Sequence, residues 1–267
     1  MLKRIIRKVS SPLRALPNFL IIGAQKAGTT SLYNYLTNNP EIIPALQKEI
    51  YFFDLHFTKG LTWYRKFFPL RTDLNNNGKR FTLEASPSYL FYPHAPKRVK
   101  ETLGEIKLIV LLRNPVDRAY SNYKWEKRRG RESRTFEEAI LAEEEMAKTE
   151  MKKMINDENY YSHEYRNFAY LNKGIYVDQL ERWIKYFPKS NLLVLESNEM
   201  YTEPEHVLKK ISHFLGIQEW KLKEYPILNE SGDKSDITDK TRKQLLDYFH
   251  PHNKKLFYFL DRKFPWN

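Results

Sequence analysis

Short apolar runs alternate with amphipathic segments along the chain and predict its secondary structure. The run Asn18-Phe-Leu-Ile-Ile-Gly23 is apolar throughout its centre and ends in glycine, which is typical of a buried parallel strand. Similar apolar runs predict further strands at residues 81–84, 106–112 and 191–195. Four strands spaced this widely leave room for a helix in each connection.

Capping residues and helical spacing predict the helices between these strands. Thr29-Thr30-Ser31 opens one helix, and Asn114-Pro115 opens another with proline in its first turn. Thr135 with Glu138 three residues later forms a capping box. Helices are predicted at residues 29–38, 135–156, 177–187, 207–215 and 240–260, the last interrupted at Pro251, and another starts at Pro115 and includes Ser121. Strands that alternate with helices predict an α/β fold with a central, mainly parallel sheet flanked by helices.

Composition excludes several classes of protein. The 267 residues contain no cysteine, so a disulfide framework, an iron–sulfur site and a cysteine nucleophile are excluded. A hydrophobic content of 41% is too high for a disordered chain. The formal charge of +12 fits nucleic acid, an anionic membrane, a polyanionic glycan or a phosphate-rich small molecule as partner.

The N-terminal segment is basic. Residues 1–16 hold Lys3, Arg4, Arg7, Lys8 and Arg14 and no acidic residue. Apolar residues recur among them at roughly helical spacing, which favours either a peripheral membrane helix or a frayed, solvated arm. No continuous apolar stretch fits a signal peptide or a membrane span. We therefore predict a basic arm over residues 1–17, a single domain over residues 18–267, and a cytoplasmic protein with possible peripheral membrane contact.

The turn after the first strand is the first candidate for chemistry. Gly23-Ala-Gln-Lys-Ala-Gly28-Thr29-Thr30 joins a strand to a helix, where backbone N–H groups and the helix N-terminus can hold an anion such as phosphate. Its lysine, Lys26, lies inside the turn, whereas the Walker A pattern has lysine directly after the second glycine. A glycine turn that serves only packing explains the pattern about equally well.

Two further segments carry candidate residues. Arg113 follows the strongest strand, at the sheet edge where α/β proteins bind ligands, and Ser121 lies eight residues on in the next helix. Glu49 lies in the aromatic segment Lys48–Asp54, and burial there would raise its pKa and make it a stronger general base. The alternative is a partly buried glutamate that forms an ion pair with Lys48 or Lys26. Glu84, at the end of the second predicted strand, is a comparable candidate.

Together these motifs resemble the sulfotransferases that use 3′-phosphoadenosine 5′-phosphosulfate (PAPS), especially the heparan sulfate N- and 3-O-sulfotransferase branch and its bacterial relatives. The resemblance runs from about Asn18 to the C-terminus. It rests on the ordered segments Gln25–Leu32, Lys48–Phe53, Lys59–Pro69, Leu112–Ser121, Gly174–Pro188 and Asn253–Leu256. It implies a P-loop-like three-layer α/β sandwich, PAPS as donor with adenosine 3′,5′-bisphosphate as product, no metal, and a saccharide or polysaccharide as acceptor.

The resemblance also implies roles for individual residues. Glu49 would be the general base, and Arg113 with Ser121 would hold the 3′-phosphate. The loop on the 5′-phosphosulfate would consist of Lys26, Ala27, Gly28, Thr29, Thr30 and Ser31. Since sulfuryl transfer has a loose, charge-spreading transition state like phosphoryl transfer, Lys26 would neutralise the departing oxygen.

Two departures from the family pattern leave the acceptor open, and a third concerns the donor. Tyr51 stands where the 3-O-sulfotransferases have histidine, and Ala85 stands where they have lysine. Residues 230–234 do not reproduce the family's late nucleotide loop, so Lys234 is offered only as a phosphate contact. We place Tyr51, Glu84 and Tyr176 at the acceptor.

Two other functional classes remain open. A P-loop kinase would share the first loop, but it normally has lysine just before Thr29 and an acidic metal ligand at a strand end. A nucleic-acid or membrane-binding module would explain the charge. It would not explain an ordered loop, glutamate, arginine and serine, so the resemblance argues against a nucleic-acid partner.

Overall fold

Five parallel strands form the centre of the molecule. The computed structural model describes residues 2–75, 80–228 and 237–266. The strands are β1 (Phe19–Gly23), β2 (Ile42–Pro44), β3 (Phe81–Ala85), β4 (Lys107–Leu112) and β5 (Leu192–Glu196). Their order in the sheet is β2–β3–β1–β4–β5, and every neighbouring pair is parallel.

Helices precede the first strand, occupy the connections between strands and follow the last strand. They are α1 (Leu2–Val9), α2 (Thr29–Thr37), α3 (Gly60–Arg65), α4 (Arg71–Asn75), α5 (Ala95–Leu103), α6 (Pro115–Arg128), α7 (Phe136–Asn156), α8 (His163–Phe168), α9 (Tyr176–Ile184), α10 (Ser197–Thr202), α11 (Pro204–Leu215) and α12 (Asp239–Leu260). Within the described residues, no helix combines the length and the apolar character that crossing a membrane requires.

The predicted α/β fold is confirmed, and its four predicted strands are β1, β3, β4 and β5. The capping box of α7 is present, with Thr135 and Glu138 bonding to each other's backbone N–H groups. The predicted interruption at Pro251 is wrong, because α12 continues through it. Phe249, Asn253 and Leu256 are buried on both sides of the proline, and their packing stabilises the helix across it. The edge strand β2 was not predicted.

Burial in the sheet determines where a site can form. Every residue of β1 is buried, as is all of β4 except Lys107. Such strands have no side chain free for chemistry, so polar groups concentrate where the strands end. The carboxyl ends at Gly23, Ala85, Leu112 and Glu196 lie along one edge of the sheet.

Two arginines bind the N-terminal segment to the domain. The Arg14 guanidinium is buried and donates to Phe68 O at 2.8 Å. Arg7 donates to Phe68 O at 2.9 Å and to Lys66 O at 2.7 Å. Residues 5–16 therefore do not form the frayed arm considered above. Where the arm ends and the domain begins stays a prediction.

Candidate active site

A cleft of about 1010 Å³ opens at the carboxyl edge of the sheet. Its walls come from the turn after β1, the segment before β3, the first helix after β4 and the residues that follow β5. They include Gln25, Lys26, Gly28, Thr29, Thr30, Glu49, Tyr51, Arg113, Ser121, Trp125, Arg129, Arg166, Glu196, Tyr201 and Trp266. Most of the predicted site residues, which are far apart in the sequence, thus surround one space.

The turn between β1 and α2 has an unusual backbone. Lys26 has φ 71° and Gly28 has φ 96°, both in the left-handed region. Gly28 is the N-cap of α2, and a Cβ built there would collide with the Tyr201 hydroxyl and lie 3.1 Å from Met200 Cε. Only glycine satisfies both conditions, so the second glycine of the motif has a structural cause.

Two predicted loop residues lie behind the cleft wall. Ala27 and Ser31 are fully buried and are not among the lining residues. The Ala27 N–H donates to Ala24 O at 3.1 Å, and Ser31 Oγ accepts from Leu228 N at 2.9 Å. Both residues support the loop, whereas Thr29 and Thr30 face the cleft at the N-terminus of α2.

Side chains from the neighbouring strand ends fix the loop. Arg113 Nη1 donates to Lys26 O at 3.2 Å, and Ser197 Oγ donates to Ala27 O at 2.8 Å. The Tyr176 hydroxyl donates to Arg113 O at 2.8 Å. Tyr176 is buried and outside the lining, so the structure places it under Arg113, although it was predicted at the acceptor.

Lys26 lies in a cationic part of the cleft. Its Nζ is 4.5 Å from the centre of the Trp125 ring, a cation–π contact. Burial, with the positive charges of Arg128 and Arg113, lowers the pKa of Lys26 to about 8. Lys26 therefore stays mostly protonated near neutral pH, and an anion bound in the loop would favour that form further.

Glu49 is held by two donors. Lys48 Nζ donates to Oε1 at 2.5 Å, and the Tyr51 hydroxyl donates to Oε2. Glu49 and Tyr51 have φ 63° and 56°, and with Lys26 they are three of the four non-glycine residues with positive φ in the described part of the chain. Left-handed backbone at a non-glycine residue costs about 1–3 kcal/mol and is often found at functional sites.

The pKa of Glu49 differs from the sequence-based expectation. Burial raises the pKa. The Lys48 charge and the hydrogen bonds from Lys48 and Tyr51 together lower it by more, so the net pKa lies below the usual range. The predicted raised pKa is therefore wrong. Glu49 is ionised at neutral pH and can accept a proton, but it is a weaker base than an isolated buried carboxylate.

Glu84 has the raised pKa instead. It is fully buried and accepts hydrogen bonds from Tyr64, from Tyr89 at 2.5 Å and from Ser86 at 2.8 Å. Burial outweighs these bonds and raises the pKa of Glu84 to about 7. It does not line the cleft, so the structure separates it from the acceptor position predicted for it. Lys234 lies outside the described residues.

Several cleft residues were missed by the sequence reasoning. Trp125 lies four residues after Ser121 on α6, so helical spacing gave a signal for it. Arg166 packs its guanidinium 4.5 Å from the centre of the Tyr51 ring, and Trp266 donates to Glu196 at 3.4 Å. Neither carries a local motif, because both reach the cleft from distant helices or from the C-terminal segment.

The sulfotransferase domain family model matches residues 16–242. The chain belongs to the sulfotransferase family. The predicted enzyme class is confirmed with it. A crystal structure of a sulfotransferase from Alicyclobacillus acidocaldarius is 27% identical and superimposes with a TM-score of 0.74, covering 94% of this chain and 98% of that one.

Two sulfotransferases from other organisms are also similar over most of this chain. Membrane-associated sulfotransferase kil1 of Dictyostelium discoideum is 28% identical over 97% of this chain, which covers 68% of the relative. Heparan sulfate glucosamine 3-O-sulfotransferase 3A1 of Mus musculus is 26% identical over 95% of this chain, which covers 65% of that relative. The present sulfotransferase thus spans about two thirds of the length of these relatives.

Proposed function

We propose that this sulfotransferase moves the sulfuryl group of PAPS to a hydroxyl or amine of a saccharide. The observation that carries the proposal is the shared cleft. The strand-to-helix loop, Arg113, Ser121 and the ionised Glu49 all line it, although Lys26 of the loop and Ser121 are 95 residues apart in the sequence.

The residues present fit a donor with phosphate and sulfate groups. The N-terminus of α2 faces the cleft with Thr29 and Thr30, and Gly28 leaves the backbone open to a close ligand. Lys26 and Arg113 add positive charge on the same side. When bound, PAPS would supply an activated sulfuryl group and adenosine 3′,5′-bisphosphate as the leaving group.

We assign the binding residues by position. Lys26, Thr29 and Thr30 bind the 5′-phosphosulfate of PAPS, and Arg113 with Ser121 binds its 3′-phosphate. Lys26 would also stabilise negative charge on the departing oxygen, since its ammonium group is protonated and is held in place by the Trp125 ring. Fixed cations can do this without a metal ion because a sulfuryl group carries less charge than a phosphoryl group.

Glu49 is the proposed general base. Its low pKa keeps it unprotonated at neutral pH. Both of its oxygens already accept a hydrogen bond, one from Lys48 and one from Tyr51, which fixes the direction of the carboxylate. A positioned base of this kind contributes about 10²- to 10⁴-fold to the rate.

The saccharide acceptor is proposed from the relatives and from the cleft wall. One relative is named for heparan sulfate glucosamine. In this chain, Tyr51 and Arg166 form the wall beside Glu49. The cytoplasmic location, the metal-free site and the absence of a nucleic-acid partner stay predictions.

Ligand stabilisation tests the donor first. Adenosine 3′,5′-bisphosphate should raise the melting temperature more than ATP–Mg²⁺ or duplex DNA does. Preference for ATP–Mg²⁺ would replace the proposal with a P-loop-type kinase, and preference for DNA would replace it with a nucleic-acid-binding module.

Substitution of Glu49 tests the base. Glu49→Gln should abolish transfer of labelled sulfate to the saccharides that the wild-type protein modifies, while adenosine 3′,5′-bisphosphate still stabilises the variant. Glu181→Gln, on α9 away from the cleft, is the matched control and should keep full activity. Wild-type turnover in Glu49→Gln would overturn the assignment of Glu49 as base; Glu84, the other candidate from the sequence, is buried and outside the cleft lining.

A further inference from the structure

Four aliphatic side chains are exposed together near the N-terminus. Ile5 is 51% exposed, Ile6 52%, Val9 77% and Leu13 66%. We call these residues the arm face. Single exposed aliphatic residues are common on proteins, but four within nine residues form a patch.

The arm face points outward because the opposite side is pinned to the domain. Ile5, Ile6 and Val9 share one side of α1, and Leu13 continues it in the following turn. Arg7 and Arg14 point the other way and donate to Phe68 O at 2.9 and 2.8 Å. The chain thus fixes the segment in place while leaving its apolar side uncovered.

The surroundings of the arm face are positively charged. Lys8 is exposed on α1, and Arg65 donates to Pro12 O at 3.4 Å beside the turn. Residues 1–16 contain no acidic residue. The negative charge of Asp73 interacts with the Arg14 guanidinium. The Asp73 carboxylate also accepts a hydrogen bond from Leu70 N at 2.9 Å.

This charge decides between possible occupants. A second copy of the chain would bring like charges together, because a twofold interface pairs the same patch with itself. An anionic lipid surface is complementary to both the apolar patch and its positive surroundings. The aliphatic side chains would lie at the acyl boundary, and lysine or arginine would contact the headgroups. We propose that the arm face docks on an anionic membrane and holds the enzyme there as a peripheral protein.

Vesicle binding by the full chain tests this proposal. The probes are phosphatidylcholine vesicles with and without phosphatidylglycerol. Wild type should co-sediment with the anionic vesicles, at least tenfold more strongly than with phosphatidylcholine alone, and added salt should release it. Val9→Asp with Leu13→Asp should reduce binding at least tenfold, and Lys8→Glu alone should reduce it severalfold. Leu141→Asp, at a 71% exposed site on α7, should bind like wild type.

The proposal is independent of the catalytic assignment. Adenosine 3′,5′-bisphosphate should stabilise wild type and all these variants equally, which also shows that they fold. The membrane proposal would be overturned if wild type did not bind anionic vesicles. It would also be overturned if the variant with Val9→Asp and Leu13→Asp bound them as strongly as wild type. A wild-type dimer that this variant converts to monomer would also overturn it, since the arm face would then join two copies.

Discussion

Tyr51→Phe removes a single hydroxyl group, the donor to Glu49 Oε2. The ring and its packing against Arg166 remain, so the change isolates one hydrogen bond. Hydrogen bonds to a charged group contribute about 1.5–3 kcal/mol. The Glu49 side chain is 35% exposed, so solvent screening reduces the effect to the lower end of this range or below it.

The direction and size of the expected pKa shift of Glu49 follow from the loss of that hydrogen bond. Tyr51 stabilises the ionised carboxylate, so its loss should raise the pKa of Glu49. About 1.4 kcal/mol corresponds to about one pH unit. Because the proposed base Glu49 must be unprotonated to accept a proton, we expect the acid limb of kcat/KM to move to higher pH by about that amount, while the plateau rate changes little.

Two measurements check this expectation. One is kcat/KM for labelled sulfate transfer as a function of pH. The other is the titration of the Glu49 carboxyl by ¹³C NMR, assigned by comparison with Glu49→Gln and independent of any acceptor. Tyr258→Phe, at a 91% exposed site, is the control and should leave both unchanged. An unchanged or lower pKa in Tyr51→Phe would refute the reasoning.

Three further substitutions have defined outcomes. Gly28→Ala should cost about 1–3 kcal/mol of unfolding free energy in a urea titration, because a Cβ at φ 96° meets Tyr201; an unchanged midpoint would contradict the geometry. Trp125→Leu should weaken binding of adenosine 3′,5′-bisphosphate about two- to fivefold by calorimetry, the factor for a cation–π contact of about 0.5–1 kcal/mol; equal affinity would remove Trp125 from the site. Arg14→Ala should destabilise the chain by about 1.5–3 kcal/mol in the same titration, because Phe68 O loses the hydrogen bond from a charged, buried donor although Arg7 still donates to it; wild-type stability would show that the segment is held by Arg7 alone.

The sequence predicted the framework better than the environment of its residues. Apolar runs marked β1 and β4 because both strands are buried on each face, and such strands need continuous hydrophobic sequence. The three-residue β2 gave no signal, since so short an edge strand depends on its partner β3. Pro251 suggested a break that tertiary packing prevents.

At the site, too, local patterns predicted residues that lie in motifs but not the contacts that tertiary folding creates. Glu49 and the loop were found because they lie in local motifs. The sequence offered an ion pair with Lys48 as one alternative for Glu49, and that pair is present. The direction of the net pKa shift could not be predicted, because it also depends on the Tyr51 hydroxyl turning back onto the carboxylate. Arg166 and Trp266 enter the cleft only through the folding of distant segments.

The bracing of the loop by Arg113 and Ser197 has a consequence for how this enzyme can change. These bonds fix the side of the cleft proposed to bind the donor through β1, β4 and β5, without using α8 or the segment around Tyr51. Substitutions in α8 and around Tyr51 can therefore remodel the proposed acceptor side while the proposed donor side keeps its shape. A scaffold divided in this way is well suited to directed evolution toward new acceptors, with libraries confined to one wall and a single nucleotide-binding assay to verify the other.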